Sequence, residues 1–467
     1  MVGFQYKQPV HTTEPVASHG NTESEAAAAP RRCVPTWRGA VRRVTRDLLE
    51  GQSLIMRVFL PFVAGYYLSF LFRSINALIA GQLSSELDLR ADDLSLLTSV
   101  YFLTFAAAQI PIGVLLDRYG PRRIQSAFLV VAAAGAALFG ASDNFLVLIA
   151  GRALIGLGVA AALSTGLKAL ILWFPKDRLT LLNGLMVMLA ALGAVTATLP
   201  AELLLIYVSW RGLFELLAAV TAGCAVMIYL VVPEAASAAP ISSGAVAAGL
   251  RAVYTDRRFW RLAPLSATCI GTAWALQGLW AAQWLTDVAG VDRAALVQHL
   301  FAMAVALSLG ALLLGVTADR LRRRGIGPQV LLGLVATVFI TAQLALILRW
   351  PLPSYILWAV VAAVGAATVL SYAILAEYFP KEIAGRANAA LNVFHIGGAF
   401  VLQYTTGVVL QHWTPQAGHY PEIAYQIAFA VNVALQIVAW VWFALPPVRA
   451  ILRRRKFKRR QVAVRPG

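Results

Sequence analysis

Four residues of the first long apolar segment, Tyr66, Ser69, Arg73 and Asn76, recur at i, i+3, i+7 and i+10, one stripe of a helix. They combine a permanent cation with three neutral hydrogen-bonding groups, a set able to grip a small anion through charge-assisted bonds. Arg73 lies more than a turn from either end of its apolar run. A charge at that depth faces a bundle interior or a wet cavity, because hydrocarbon cannot solvate it. Arg152 is also deep and admits two readings, substrate contact or a structural role in the bundle. Lys168 is close enough to a segment end to snorkel, and Arg57 reads as interfacial.

Other polar and aromatic positions fall on stripes that could face the same space. Tyr101, Phe105 and Gln109 share a face of the second segment, Trp274 and Gln277 a face of the seventh, and Tyr372 lies in the tenth. Asn388, Asn392 and His395 follow i, i+4 and i+7 in the eleventh. His395 fits a proton carrier, since imidazole titrates at about 6.5, and equally fits a hydrogen-bonded structural group. Of the 22 acidic residues, none falls mid-segment; Glu202, Glu215, Asp287 and Glu377 lie toward segment ends. Fixed positive charge without a protein carboxylate predicts an anionic solute, a small organic anion or carboxylate-bearing metabolite. No cofactor or metal is expected. Neither a phosphate-cradling Gly-x-x-x-x-Gly-Lys-Ser/Thr loop nor a Gly-x-Ser-x-Gly elbow occurs, and Cys33, Cys224 and Cys269 are too scattered for a metal or disulfide framework.

The composition says what must position these groups. The 467 residues are 59% hydrophobic and 13% charged, with mean hydropathy +0.71. Soluble domains carry about 45–50% apolar and about 25% charged residues, so a polytopic membrane protein is the class that remains. Long continuous apolar runs predict α-helices of about 20 residues per crossing. Twelve spans are predicted, at residues 55–83, 94–116, 124–140, 145–173, 179–204, 211–232, 259–287, 295–317, 328–349, 354–378, 386–411 and 422–445. Residues 1–50 read as a mostly disordered tail, 51–232 as a first six-helix bundle, and 233–258 as a hydrophilic linker. Residues 259–445 read as a second six-helix bundle, and 446–467 as a basic tail.

Of the 39 Lys and Arg, 31 lie in segments on the side of the two tails and the linker, and four lie in the opposite loops. That asymmetry predicts both termini in the cytoplasm. It also accounts for the net charge of +17 without nucleic-acid binding. The basic run from Arg453 to Arg460 is placed to lie on anionic lipid head groups.

A repeat links the two bundles. Gly113-Val114-Leu115-Leu116-Asp117-Arg118-Tyr119-Gly120-Pro121-Arg122-Arg123 follows the second span, and an echo containing Gly315, Asp319 and Arg320 follows the eighth. Trp173-Phe174-Pro175-Lys176-Asp177 and Tyr378-Phe379-Pro380-Lys381-Glu382 form a second pair. Parallel six-span repeats with a site between them are a known secondary-transporter plan. The first motif resembles the Gly-x-x-x-Asp-Arg-x-Gly-x-Arg-Arg loop of the major facilitator superfamily. Arg152-x-x-x-Gly156-x-Gly158 resembles that family's fourth-span motif. The resemblance implies an all-α fold of twelve transmembrane helices in two six-helix pseudo-repeats, working by alternating access. It also implies that Gly113, Asp117, Arg118, Gly120, Arg122, Arg123, Gly315, Asp319 and Arg320 form a gating lock. There Asp117 pairs with basic loop residues, and Gly113 permits close helix approach. The fifth span lacks the Gly-Pro pair of the family's drug antiporters. Some organic-anion branches place acids beside the first-span Arg and beyond the fourth-span Arg; here those places hold Phe72 and Val159. The expectation is therefore a proton-coupled secondary transporter of a small anionic polar solute in the plasma membrane, a bacterial inner membrane. A proton-antiport exporter and a non-transporting receptor on the same scaffold are the alternatives.

Overall fold

The computed structural model describes residues 53–175, 178–234, 243–416 and 418–463. The expectations for the 1–50 tail, for Lys176 and Asp177 of the second motif, and for 235–242 of the linker lie outside the described residues. Among those described, the chain is helical apart from turns and one isolated bridge at Gln416 and His419.

Ten helices are long and apolar enough to cross a membrane. One of them, Ala91–Gly140, has 50 residues, about 75 Å at helical rise and far more than a bilayer requires. Gly120 breaks it, with φ 78 and ψ 166. That left-handed backbone is open to glycine at little cost. Two spans result, residues 91–119 and 121–140. The echo of Gly120 is Gly325, also at φ 78 and 205 positions on, so the turn after the eighth span repeats the one after the second. Another crossing, from Arg257 to Asp287, is long enough but less apolar than the ten, and it is built in three pieces. They are Arg257–Ala275, a π-turn at Leu276–Trp280, and Ala281–Asp287. The bundle therefore has twelve spans, with boundaries close to the expected ones.

Turn signals in the sequence become helix caps. Asn144 accepts hydrogen bonds from the Leu146 and Val147 amides, Ser209 from Gly212, Asp256 from Arg258 and Asp292 from Ala295. Each satisfies amides that the first helical turn leaves unpaired. The linker holds a short helix, Ser243–Thr255, and the last helix runs from Glu422 to Ala463.

Span one packs on span seven, span two on span eleven, and span five on span eight, so each half lends three helices to the interface between them. Four spans are irregular beside that interface, among them span five, which breaks at residues 197–198. Span four breaks at residues 160–161, span seven has its π-turn, and span ten has one 3₁₀ turn at Gly365–Ala367. Interruptions of this kind cluster at functional sites because they release backbone carbonyls from the helix ladder.

Candidate functional site

Between the halves lies a cavity of about 440 Å³. Span one lines it with Tyr66, Ser69, Phe70 and Arg73, and span two with Tyr101, Phe102, Phe105 and Gln109. The facing wall includes Trp274, Tyr372, Asn388 and Asn392. No Asp or Glu lines it, and Arg73 is the single charged residue among the lining groups.

Arg73 is held by rings rather than by oxygens. Its guanidinium carbon lies 4.4 Å from the Phe70 ring centroid and 4.8 Å from that of Trp274. Such contacts contribute up to about 2 kcal/mol when desolvated but leave the charge unneutralised. Among the described residues no carboxylate or carbonyl accepts a hydrogen bond from it. The guanidinium lies over two rings, and its N–H groups, without an acceptor among the described residues, are left to meet a ligand. Phe70 was not singled out by the sequence reading, although its i, i+3 relation to Arg73 was a usable signal.

The freed carbonyls are taken up by side chains of the cavity wall. Gln109 Nε2 donates to the Ala160 carbonyl at 3.3 Å, and Trp274 Nε1 to the Gly365 carbonyl at 3.3 Å. Tyr372 donates to Asn392 Oδ1 at 3.1 Å, and Asn392 Nδ2 donates to Gln109 Oε1 at 3.2 Å, a chain that crosses between the halves. His395 lies one layer behind this wall, fully buried, against the rings of Trp274 and Tyr372. Its Nε2 is 2.6 Å from Ser266 Oγ, which is 2.6 Å from Ser371 Oγ, while its Nδ1 has no partner.

Three expected cavity residues are elsewhere. Arg152 is 1% exposed and donates to Asn76, and its guanidinium lies over Phe139 and Phe214. Asn76 in turn donates to Thr98 Oγ1 at 2.6 Å. This pair ties spans one, two and four behind the cavity, because a close packing brings their backbones together there. A Cβ on Gly156 would overlap the Tyr101 carbonyl and Thr104, so the span-four motif serves contact with span two. Gln277 is buried outside the cavity lining. Its π-turn adds a residue to the helical turn and breaks the straight stripe that would have joined it to Trp274.

The two ends of the bundle differ. At the end remote from residues 113–123, the halves are joined by several bonds. Arg293 binds Glu202 at 2.8 Å and 2.5 Å and donates to the Leu78 carbonyl at 2.9 Å. Ser95 Oγ donates to the Gln403 carbonyl at 3.0 Å, and the Ala91 amide to the Tyr420 hydroxyl at 3.1 Å. At the motif end no hydrogen bond or ion pair joins the halves among the described residues. The cavity lining extends that way through Leu167, Asn183 and Gly385.

The repeated loop motif is wired differently from expectation. Asp117 pairs with Lys168 of span four at 2.6 Å, not with the loop arginines. Lys168 also donates to the Leu116 carbonyl at 3.0 Å, so it is bonded within the bundle rather than snorkelling. Arg122 donates to the Val232 carbonyl at 3.3 Å and Arg123 pairs with Glu234, both at the end of span six. Arg118 lies over the Tyr119 ring. A Cβ on Gly113 or Gly315 would meet nothing within 4 Å, so no helix closes on either in this conformation. The reason is the gap at this end, which holds the facing helices apart. Asp319 and Arg320 are exposed.

A two-bundle fold with broken helices around a mid-depth cavity and paired loop motifs can be matched against known families. The model of the Major Facilitator Superfamily matches residues 62–400 and again 299–466. The chain belongs to the major facilitator superfamily. Among curated superfamily relatives, a probable sulfoacetate transporter of Cupriavidus necator is 26% identical over 180 residues, covering 38% of this chain and 40% of the relative. A probable L-galactonate transporter of Escherichia coli is 29% identical over 177 residues, 38% of each chain. A nitrate/nitrite transporter of Picosynechococcus is 42% identical over 71 residues, 15% of this chain and 13% of its own. The matches thus span at most two-fifths of these relatives' length. In fold, the chain superposes on a bacterial homologue of the human lysosomal transporter Spinster, in an inward-facing, unoccupied conformation. The TM-score is 0.69 at 18% identity, covering 83% of this chain and 95% of that one.

Proposed function

We propose that this superfamily member carries a small organic anion across the membrane by alternating access, with Arg73 holding the anionic group. The observation that carries the reading is the unopposed guanidinium in a cavity without carboxylates. The three relatives cited are named for sulfoacetate, L-galactonate and nitrate or nitrite, all anions, which supports the same charge class. Tyr66, Tyr101, Trp274, Tyr372 and Asn392 complete the site by contact, while Asn76 and Arg152 act from behind. We place the motif end in the cytoplasm, on the Lys and Arg asymmetry, and the protein in the plasma membrane. The structure is then open to the cytoplasm and sealed outside by Arg293–Glu202 and its neighbours.

For the driving ion we favour the proton, with His395 as its carrier. It is the imidazole beside the cavity wall, and its Nδ1 has no hydrogen-bond partner. Ser266 meets the other nitrogen and in turn bonds Ser371, and the rings of Trp274 and Tyr372 pack against the imidazole.

Uptake into proteoliposomes tests the assignment. Labelled organic anions should accumulate when an inward proton gradient is imposed, and organic amines should not. Arg73-independent uptake of an amine would remove the anion reading. Cysteines placed at Asp143 and Gly418 should react with an impermeant reagent outside intact cells, and one at Ser243 should not. Labelling at Ser243 would reverse the orientation.

A further inference from the structure

Resting on the anion reading of Arg73, we infer that the preferred substrate is a monoanion with an aromatic body, of the benzoate class, rather than a hydroxyl-rich acid or a dianion. The first support is charge. Arg73 is the single charged residue lining the cavity. The other deep guanidinium, Arg152, is spoken for by Asn76, and its faces are covered by Phe139 and Phe214. A second anionic group on the substrate would be buried without a partner, which is costly.

The second support is the wall. Rings line both sides, with Tyr66, Phe70, Tyr101 and Phe105 from the first half and Trp274 and Tyr372 from the second. Trp274 is fixed in place by its bond to the Gly365 carbonyl and by the His395 ring behind it. A rigid indole beside the anion-binding edge suits edge-to-face or offset contact with a ligand ring.

A third observation is that three polar groups of the cavity are tied to one another. Gln109, Asn392 and Tyr372 already bond one another and the Phe105 and Ala160 carbonyls. Ser69, Asn183 and Asn388 also line the cavity without a side-chain hydrogen bond among the described residues, so the preference over a hydroxyl-rich acid rests on the rings. A benzoate places its carboxylate on the Arg73 edge and its ring among the aromatic groups, so little polar surface loses water unrewarded.

The test measures ligand-induced thermal stabilisation of the purified full-length protein. The probes are benzoate, cyclohexanecarboxylate, gluconate, phthalate and benzamide. Benzoate should bind at least about tenfold more tightly than cyclohexanecarboxylate, gluconate or phthalate, a difference of about 1.4 kcal/mol. Benzamide, with the ring and no charge, should not stabilise. Trp274→Leu should erase the margin of benzoate over cyclohexanecarboxylate while leaving binding of the latter. Gluconate or phthalate binding as well as benzoate, with all binding lost in Arg73→Gln, would overturn the aromatic monoanion and leave the anion site standing. Equal binding of benzoate and cyclohexanecarboxylate by the wild-type protein would likewise reject the aromatic preference, whatever the fate of the Trp274 variant. Binding of benzamide like benzoate, or binding of no anion at all, would overturn both readings.

Discussion

In the first six spans Arg73 and Arg152 sit in the bundle with no carboxylate beside them, whereas the buried polar groups of the last six include Gln277, Gln343, His395, Gln403 and Gln436 and no arginine or lysine. The backbones repeat but the chemistry does not. At the offset of 205 that relates Gly120 to Gly325, Lys168 corresponds to Ala373 and Arg152 to Leu357. Asp117 accordingly has a partner across its bundle, and Asp319, its counterpart in the echoed motif, is exposed without an ion pair among the described residues. The difference teaches how a duplicated scaffold can hold an asymmetric solute. One half supplies the charge while both supply rings and amides to the wall, so the anionic end of the ligand must lie toward span one.

The sharpest way to break this division is at Arg73. Arg73→Ala should lower uptake more than any other substitution in the cavity wall while expression persists. A charge pair at 4 Å contributes about 4 kcal/mol at an effective dielectric of about 20 and about 1 kcal/mol in water. The loss should therefore fall between about fivefold and about a thousandfold, depending on how wet the cavity is. Arg73→Lys keeps the charge but not the planar fork, so affinity should fall by less. Asn392→Ala, on the opposite wall, should cost only a few-fold through one lost neutral bond. Equal losses in Arg73→Ala and Asn392→Ala uptake assays would show that charge is not concentrated in the first half.

His395 probes the second half. His395→Asn should abolish gradient-driven accumulation while leaving exchange of labelled for unlabelled solute, because binding does not pass through the ring. Its loss also removes a bond to Ser266, so a fall in stability of about 1–3 kcal/mol should accompany it. Accumulation that survives the substitution would return His395 to a purely structural role.

The paired motifs sharpen the comparison further. Asp117→Asn should lower transport a few-fold, since the pair with Lys168 is partly exposed and exposed pairs contribute about 1 kcal/mol or less. Asp319→Asn should leave transport and reagent access to the cavity unchanged. Cysteine labelling at Ser164 from the motif side reads the population of open states in both variants. A matching response from the two would mean that the halves gate symmetrically.

Much of this plan is legible in the residues. Continuous apolar runs and Lys/Arg asymmetry yield the twelve spans, and Gly120 with Pro121 marks the break inside Ala91–Gly140. Tyr66, Ser69 and Arg73 share a helical stripe because span one is regular there, and the cavity indeed has all three on its wall. The stripe fails at Asn76, where contact with Thr98 and Arg152 decides the side chain's direction. Periodicity reports which residues share a face and is silent on which neighbour that face meets. The π-turn of span seven left no signature in the hydropathy pattern, so Gln277 could not be placed by spacing alone. Lys168 as the partner of Asp117 is a contact 51 positions apart, set by how span four crosses span two.

The smallest expected effect lies at the entrance to span seven. Asp256 caps this helix, accepting from the Arg258 amide at 2.7 Å and from the Arg258 side chain. Span one opens instead with a π-turn at Ile55–Phe59 and no side-chain cap. The Arg258 side chain holds the Asp256 carboxyl below its ordinary range, helped by the amide bond. A carboxyl whose folded value is depressed stabilises the folded state above its unfolded titration range, and that contribution is lost as pH falls through the folded value. Asp256→Ala should therefore lower stability by about 1 kcal/mol at neutral pH, the ordinary cost of a lost cap. The gap between variant and wild type should close on acidification below the usual carboxylate range. Thermal unfolding in detergent at neutral and acid pH measures this directly. A gap that stays constant with pH would assign the effect to helix packing rather than to the charged cap, and would remove one of the local differences between the two halves.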